Sequence, residues 1–339
     1  MMDEGSGGGA PPAHIVTSLW GGHPSWAQCR LVDRRGVSTI GHVRNLLKAV
    51  GPDDVVVLNG ALGWVYRYVD VLAALCFRLR RRRPWVILTD CTWEPGSRAL
   101  ARKAPWLAGI VPLVSRAVVR ALDHDRAIFC VLSSDEARSF GPLWRLRHGK
   151  VAHTPFCVTL YDWLDAPVRD EGYVFAGGNS LRDYPLLLSA MEGVDAPVRI
   201  ASSFAAPNLP AHVLCRPLSH ADFMDELLAS RVVVTPLQVS QRSAGQQTYL
   251  NAMALGKPVI VTEAPGVRDH IEDGRTGLIV ANRPEALREA IRWVLDDTNA
   301  EAVAAMARAG RAEARARFSD RRYYENLLEI ARGCLARRD

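Results

Sequence analysis

Ser243, Ala244 and Gly245 are small residues standing directly ahead of a helix-forming run at about Gln247–Leu255. Small side chains let an anion approach the backbone, and the first N–H groups of a helix, backed by its dipole, favour negative charge. The ligand chemistry that fits is a diphosphate, held by the N–H groups of Ala244–Gln247 with Thr248 in the same first turn. An ordinary helix start with a glycine turn fits these residues as well. A second loop of this kind is FAGGNSLRDY, Phe175–Tyr184, in which a strand runs into Gly177, Gly178 and Asn179. Arg182 follows where its guanidinium can return over the loop to clamp phosphate oxygens. Two such loops at strand ends in one half of the chain reinforce each other.

Other residues could act on a hydroxyl or a metal. Asp90 ends the strand WVILTD, where a carboxylate could orient or deprotonate a hydroxyl, and where it also fits a turn cap. His153 and Thr154 end a later strand, although a lone histidine there more often has a structural role. Gly21 and Gly22 follow the first strand and allow a ligand near the backbone, or form a plain turn. Asp123-His124-Asp125 has the Asp-x-Asp spacing of some metal sites, but it falls between a helix and a strand and reads as a helix end. No metal is expected. Asp135 and Glu136 open a helix with Ser134 as N-cap, where acidic residues suit the first turn. The cysteines (29, 76, 91, 130, 157, 215, 334) number seven, are widely spaced and never form CxxC, so they read as reduced thiols in a cytoplasmic protein. They offer no zinc site.

The elements that must position these groups are short β-branched runs alternating with helical stretches. Candidate strands are His14–Trp20, Val55–Asn59, Trp85–Thr89, Ala127–Ser133 and Val151–Thr154. They continue with Tyr173–Ala176, Val198–Ser202, Val213–Arg216, Val232–Pro236, Val259–Thr262 and Gly277–Val280. Apolar on both faces and separated by helix-length segments, they predict parallel α/β sheets. The turn-rich segment Tyr161–Gly172 breaks the series in the middle, which argues against a single TIM barrel. The reading is two doubly wound, Rossmann-like domains, 13–165 and 166–318, facing across a cleft. Residues 1–12 read as a disordered leader and 319–339 as a C-terminal helix.

The 339 residues suit two domains. With 48% apolar and 23% charged residues, the composition excludes disorder, collagen-like repeats and a structural coiled coil. The net charge of +6 is unevenly spread: residues 1–165 hold 21 basic and 14 acidic residues, and 166–339 hold 21 and 22. No run of about 18 uncharged apolar residues would span a bilayer, and the acidic, Gly-rich start is unlike a signal peptide. The apolar stretch Trp64–Leu79 runs into a cluster of Arg78, Arg80, Arg81, Arg82 and Arg83, and Ala104–Leu122 is a second apolar segment carrying Arg116 and Arg120. Such clusters suit peripheral contact with anionic lipid on the inner face of a membrane, or packing in the core with the arginines solvated. Interleaved stacking aromatics are lacking, so nucleic acid is not expected.

The segment LNAMALGKPVIVTEAPGVRDHIEDGRTGLIV resembles the donor-binding half of GT-B glycosyltransferases, in particular the retaining group 1 (GT4) family, and FAGGNSLRDYPLLLSAM resembles the start of the same domain. The resemblance implies a nucleoside-diphosphate sugar donor bound mainly by the C-terminal domain, with Arg182 on its diphosphate. It implies an acceptor held mainly by the N-terminal domain, near Gly21, Gly22, Asp90 and His153. The cysteine-bearing loop CRPLS places Arg216 and Leu218 where relatives hold the nucleotide base, or it is a plain strand end. Relatives carry two glutamates eight positions apart, and here Ser243 and Asn251 take those positions. Asn251 could still bond ribose hydroxyls, and Gln246 or Gln247 could take over contacts to the sugar. The implied activity is metal-independent, retaining transfer of a sugar to a hydroxyl of a small molecule, glycan or lipid-linked sugar, with no cofactor beyond a UDP-, GDP-, TDP- or ADP-linked donor. A sugar-nucleotide epimerase of the same fold and a non-catalytic sugar-nucleotide binder remain open alternatives.

Overall fold

A computed structural model describes residues 14–19, 23–61, 69–95, 109–206 and 208–337. The proposed leader, Gly21 and Gly22, and the N-terminal ends of the two apolar stretches at 64–68 and 104–108 lie outside these residues. The chain divides into two compact units. One is Met1–Leu132, Ala137–Thr154 and Tyr324–Asp339; the other is Ser133–Glu136 and Pro155–Tyr323.

The first unit contains β1 (Ile15–Thr17), β2 (Arg30–Leu31), α1 (Thr39–Ala49), β3 (Val55–Asn59), α2 (Val69–Arg78), β4 (Trp85–Thr89), α3 (Val111–Leu122), β5 (Ala127–Val131), most of α4 (Ser134–Trp144) and β6 (Lys150–His153). All pairings are parallel, in the order β2-β1-β3-β4-β5-β6. Runs such as Val55–Leu58 and Trp85–Thr89 are buried along their length because helices cover both sheet faces. Sequence reading missed β2, which is only two residues long and exposed.

The second unit contains β7 (Val174–Gly177), α5 (Tyr184–Met191), β8 (Val198–Ala201), β9 (Val213–Arg216), α6 (His220–Ala229), β10 (Val232–Thr235), α7 (Gln246–Ala254), β11 (Val259–Thr262), β12 (Leu278–Val280), α8 (Pro284–Leu295) and α9 (Ala300–Arg317). The order β9-β8-β7-β10-β11-β12 reverses direction between β7 and β10. All of its pairings are parallel as well. In open parallel sheets that reversal leaves a crevice beyond the carboxyl ends of the two central strands, and ligands bind there. One core, with Phe175, Val233, Tyr249 and Met253, lies on one face of this sheet; a second, with Val174, Leu187, Ile260 and Ile291, lies on the other. The last helix, α10 (Asp320–Leu335), begins in the second unit and ends in the first.

The units part at Thr154/Pro155, whereas the sequence reading placed the join near Asp165. The intervening segment is already packed on the second unit. Val158 donates its N–H to the Phe318 carbonyl (2.8 Å), Thr159 donates its own to Asn251 Oδ1 (2.9 Å), and Val158, Leu160 and Trp163 join the core around Tyr249. The turn-rich Tyr161–Gly172 therefore falls inside the second unit, and the apolar residues just ahead of it anchor the chain there.

Candidate active site

The loops that follow β7 and β10 meet at the reversal point of the second sheet. Their backbones are stitched together: Asp183 N–H donates to the Pro236 carbonyl and Gln238 N–H to the Leu181 carbonyl, each at 2.9 Å. Arg182 and Leu237 form an antiparallel bridge. Gly178 takes φ +103°, and a Cβ there would lie 2.7 Å from the Arg182 guanidinium, so the turn needs glycine. Gly245, at φ +82°, opens α7, and its Cβ would crowd Thr235 and Leu237 at 2.9 and 3.0 Å. The amides of Gln246 and Gln247 then begin the helix with no carbonyl of their own turn to bond. Both loops singled out from the sequence thus lie at one place.

Arg182 sits beneath this surface. It is 9% exposed; its Nε donates to the Gly177 carbonyl (2.9 Å), Nη1 to the Ser180 carbonyl (2.6 Å) and Nη2 to Thr248 Oγ1 (3.0 Å). Burial works against its charge and pushes its pKa down. It therefore braces the turn after β7 against the first turn of α7, with two of its five N–H groups left over. Sequence reading missed Arg242, which borders the same loop. Its Nη2 donates to Ser180 Oγ (2.8 Å) and its Nη1 to the Ser243 carbonyl (3.3 Å). The only signal was its place beside Ser243.

The other residues singled out in the second unit are occupied in specific ways. Asn179 Oδ1 accepts from Ser202 Oγ and from Ser203 N–H and Oγ, which fixes the loop after β8. Asn251 is buried, and both ends of its amide engage Thr159: Oδ1 accepts from its N–H, and Nδ2 donates to its Oγ1 (3.0 Å). Gln247 is exposed and its Nε2 lies 3.4 Å from Thr159 Oγ1. Gln246 is 5% exposed, and its Nε2 has no partner among the described residues. Arg216 ends β9, at the sheet edge, two strands from β7, and pairs with Glu226 at 3.1 Å; Leu218 packs on the core.

Ser243 donates its Oγ to Glu136 Oε2 at 2.6 Å, and Ser133 Oγ lies 2.7 Å from the same oxygen. Residues 133–136 belong to the second unit by packing. There Ser134 bonds the Asp269 carboxylate through its N–H (2.7 Å) and Oγ (2.6 Å), and Gly266 N–H donates to Asp135 Oδ2 (2.9 Å). Burial raises the pKa of Glu136, and the Ser243 and Ser133 donors and the charge of Arg242 only partly offset it. The helix start differs from the sequence reading: Ser133, not Ser134, is the cap, because Ser133 Oγ accepts the Glu136 N–H at 3.1 Å.

In the first unit the strand order reverses between β1 and β3. Asp70 marks that point: it accepts from Asn59 N–H (2.9 Å) and from the Ser18 hydroxyl, and its other oxygen lies 3.4 Å from Nε2 of the fully buried His42. Neither Asp70 nor His42 was singled out from the sequence, since both lie inside apolar helical runs. Asp90 follows β4 with φ +55°, and His153 ends β6 at the far edge with β5 between them, so the sheet does not bring the two together. Asp123 is a loop anchor: its carboxylate accepts from the amides of Arg147 (2.7 Å), His148 (3.0 Å) and Gly149 (2.6 Å). Burial alone would raise its pKa, but these donors lower it. The arginine cluster is partly spent on the protein. Arg80 donates to the carbonyls of Val50 (2.6 Å) and Leu47, Arg83 to that of Arg78 (3.0 Å), and Arg82 pairs with Asp53 (3.5 Å). No helix among the described residues is long and apolar enough to cross a membrane.

Residues 196–297, all in the second unit, match the family profile described as Glycosyl transferases group 1. No curated protein matches the chain. Among solved structures, a sucrose-phosphate synthase from Thermosynechococcus elongatus is similar at 15% identity and TM-score 0.62, over 91% of this chain and 84% of that one. A glycosyltransferase from Rickettsia africae is similar at 14% identity and TM-score 0.61, over 95% and 90%. HepE from Anabaena, in complex with UDP and glucose, is similar at 15% identity and TM-score 0.59, over 89% and 85%. At such identities the likeness concerns the fold. The chain has a two-unit, Rossmann-like α/β architecture of the GT-B kind, with group 1 glycosyltransferase similarity in its second unit.

Proposed function

We propose that the protein is a glycosyltransferase that moves a sugar from a nucleoside-diphosphate sugar to an acceptor hydroxyl, with retention and without a metal. The observation that carries this reading is the convergence, at the reversal point of the second sheet, of the β7 loop, the β10 loop and the N-terminus of α7. The helix N-terminus suits the charge that builds on the departing diphosphate, and Arg182 and Arg242 flank it. In a retaining reaction that phosphate can itself take the proton of the incoming hydroxyl, which needs no separate strong base. The group 1 profile and the UDP and glucose bound by the Anabaena relative support the donor class.

The first unit would take the acceptor. Ile110, Leu113 and Val114 are 51%, 65% and 55% exposed at i, i+3, i+4 spacing, flanked by Arg116 and Arg120. That face suits an anionic bilayer and hence a lipid-linked acceptor.

The test is a matrix of UDP-, GDP-, TDP- and ADP-sugars against acceptors, read as release of nucleoside diphosphate. Acceptor-dependent release supports transfer. Conversion of the donor without acceptor would assign the epimerase reading, and tight binding without turnover the binder.

A further inference from the structure

The buried carboxylate of Glu136 is not explained by its place in the helix. As the residue three beyond the cap Ser133, a glutamine would fit the same local pattern without charge. Glu136 instead carries a negative group at 4% exposure, with no ion pair among the described residues, and burial of a lone carboxylate is costly. Both of its hydroxyl donors, Ser133 and Ser243, fall on one oxygen, Oε2, at 2.7 and 2.6 Å. The Ser243 N–H donates to the carboxylate as well, and since a carboxylate has about four acceptor positions, one is left for a further donor. Ser243 stands two residues ahead of Gly245, where α7 begins, so the carboxylate is held beside the anion-suited helix start. A diphosphate would be repelled by it. A neutral, hydroxyl-bearing group next to the diphosphate would donate to it. Gln246, one residue into the same helix, adds a buried amide nitrogen with no protein acceptor. A carboxylate with an acceptor position open and an amide that needs an acceptor suit a polyol, whose hydroxyls do both.

We propose that Glu136 is the sugar-recognising carboxylate of the second unit, accepting a hydrogen bond from a hydroxyl of the donor's glycosyl group at the acceptor position that Ser133 and Ser243 leave open. The inference rests on the nucleotide-sugar reading above and deepens it. The carboxylate sets preference among sugars; it is not assigned to the nucleotide.

Calorimetric titration of the full chain with UDP, GDP, TDP and ADP, and with the hexosyl ester of each, separates the two claims. For Glu136→Gln, affinity for the bare nucleoside diphosphate should stay within about twofold of wild type, and affinity for its hexosyl ester should fall about tenfold, or about 1.4 kcal/mol. Glu136→Asp, which keeps the charge but shortens the reach, should fall between them. The Gln variant should melt at or above the wild-type temperature, because a charge disfavoured by burial has been removed. Equal losses for diphosphate and ester would place the carboxylate on ribose or assign it a structural role, and would overturn the proposal, as would an unchanged ester affinity. A wild-type chain that binds no nucleoside diphosphate would sink the nucleotide-sugar reading and this proposal with it.

Discussion

Arg182→Ala probes the brace under the β7 loop. Three N–H groups of Arg182 bond Gly177, Ser180 and Thr248, at 2.9, 2.6 and 3.0 Å. A net hydrogen bond is worth about 1 kcal/mol, and about 1.5–3 kcal/mol when one partner is charged, against which stands the cost of burying the guanidinium. The balance is a loss of about 3 kcal/mol. At about 2–4 °C per kcal/mol for a domain of this size, the second unit should melt about 6–12 °C lower. Arg182→Lys keeps the charge but lacks the planar fork, so it should recover about half of that loss. The assay is differential scanning calorimetry of both variants, with binding of UDP, GDP, TDP and ADP measured alongside. Nucleotide binding should fall in step with melting, since the same side chain shapes the turn and has two N–H groups left for phosphate. An Ala variant that melts within about 2 °C of wild type would refute the brace. An Ala variant that melts low but binds nucleotide unchanged would remove Arg182 from the phosphate site.

Two further outcomes test other parts of the account. Lys257 is 3% exposed and donates to the carbonyls of Arg169 (2.6 Å) and Ser230. Burial lowers its pKa from 10.5 to about 8, with Asp170 opposing and Arg169 assisting. A lowered lysine pKa means its contribution is full above pH 10.5 and is lost as pH falls through about 8. Stability should therefore rise from pH 8 to 10, and Lys257→Met should flatten that slope in urea melts; an equal slope in both proteins would contradict it. On the first unit, Leu113→Glu with Val114→Glu should cut sedimentation with phosphatidylglycerol vesicles at least about tenfold, and wild-type protein that stays in the supernatant would end the membrane proposal.

The central strands were legible because their β-branched runs are buried on both faces, as in Val55–Leu58 and Val232–Thr235, whereas the partly exposed β6 and β9 were read from their place in the alternation of strands and helices. The loops at Gly177–Arg182 and Ser243–Gln246 were legible as loops because their small residues stand between a strand run and a helical run. What the sequence hid was contact at long range. Glu136 and Ser243 lie 107 positions apart and are hydrogen-bonded, and Thr159 reaches Asn251 across 92 positions. Neither pairing leaves a local pattern. Asp135 and Glu136 read as first-turn acids because that local account is sufficient; only the buried carboxylate shows that it is incomplete. Arg80 and Arg83 read as a solvated basic patch because nothing local reveals the carbonyls of Leu47, Val50 and Arg78 that they satisfy.

The central claim, that the second unit receives a nucleoside-diphosphate sugar at the junction of the β7 and β10 loops, is tested most directly by calorimetric titration of the chain with UDP, GDP, TDP and ADP. At least one of them should bind saturably at a single site, and that binding should be lost on Arg182→Ala. Absence of binding by all four, with the protein folded, would contradict it.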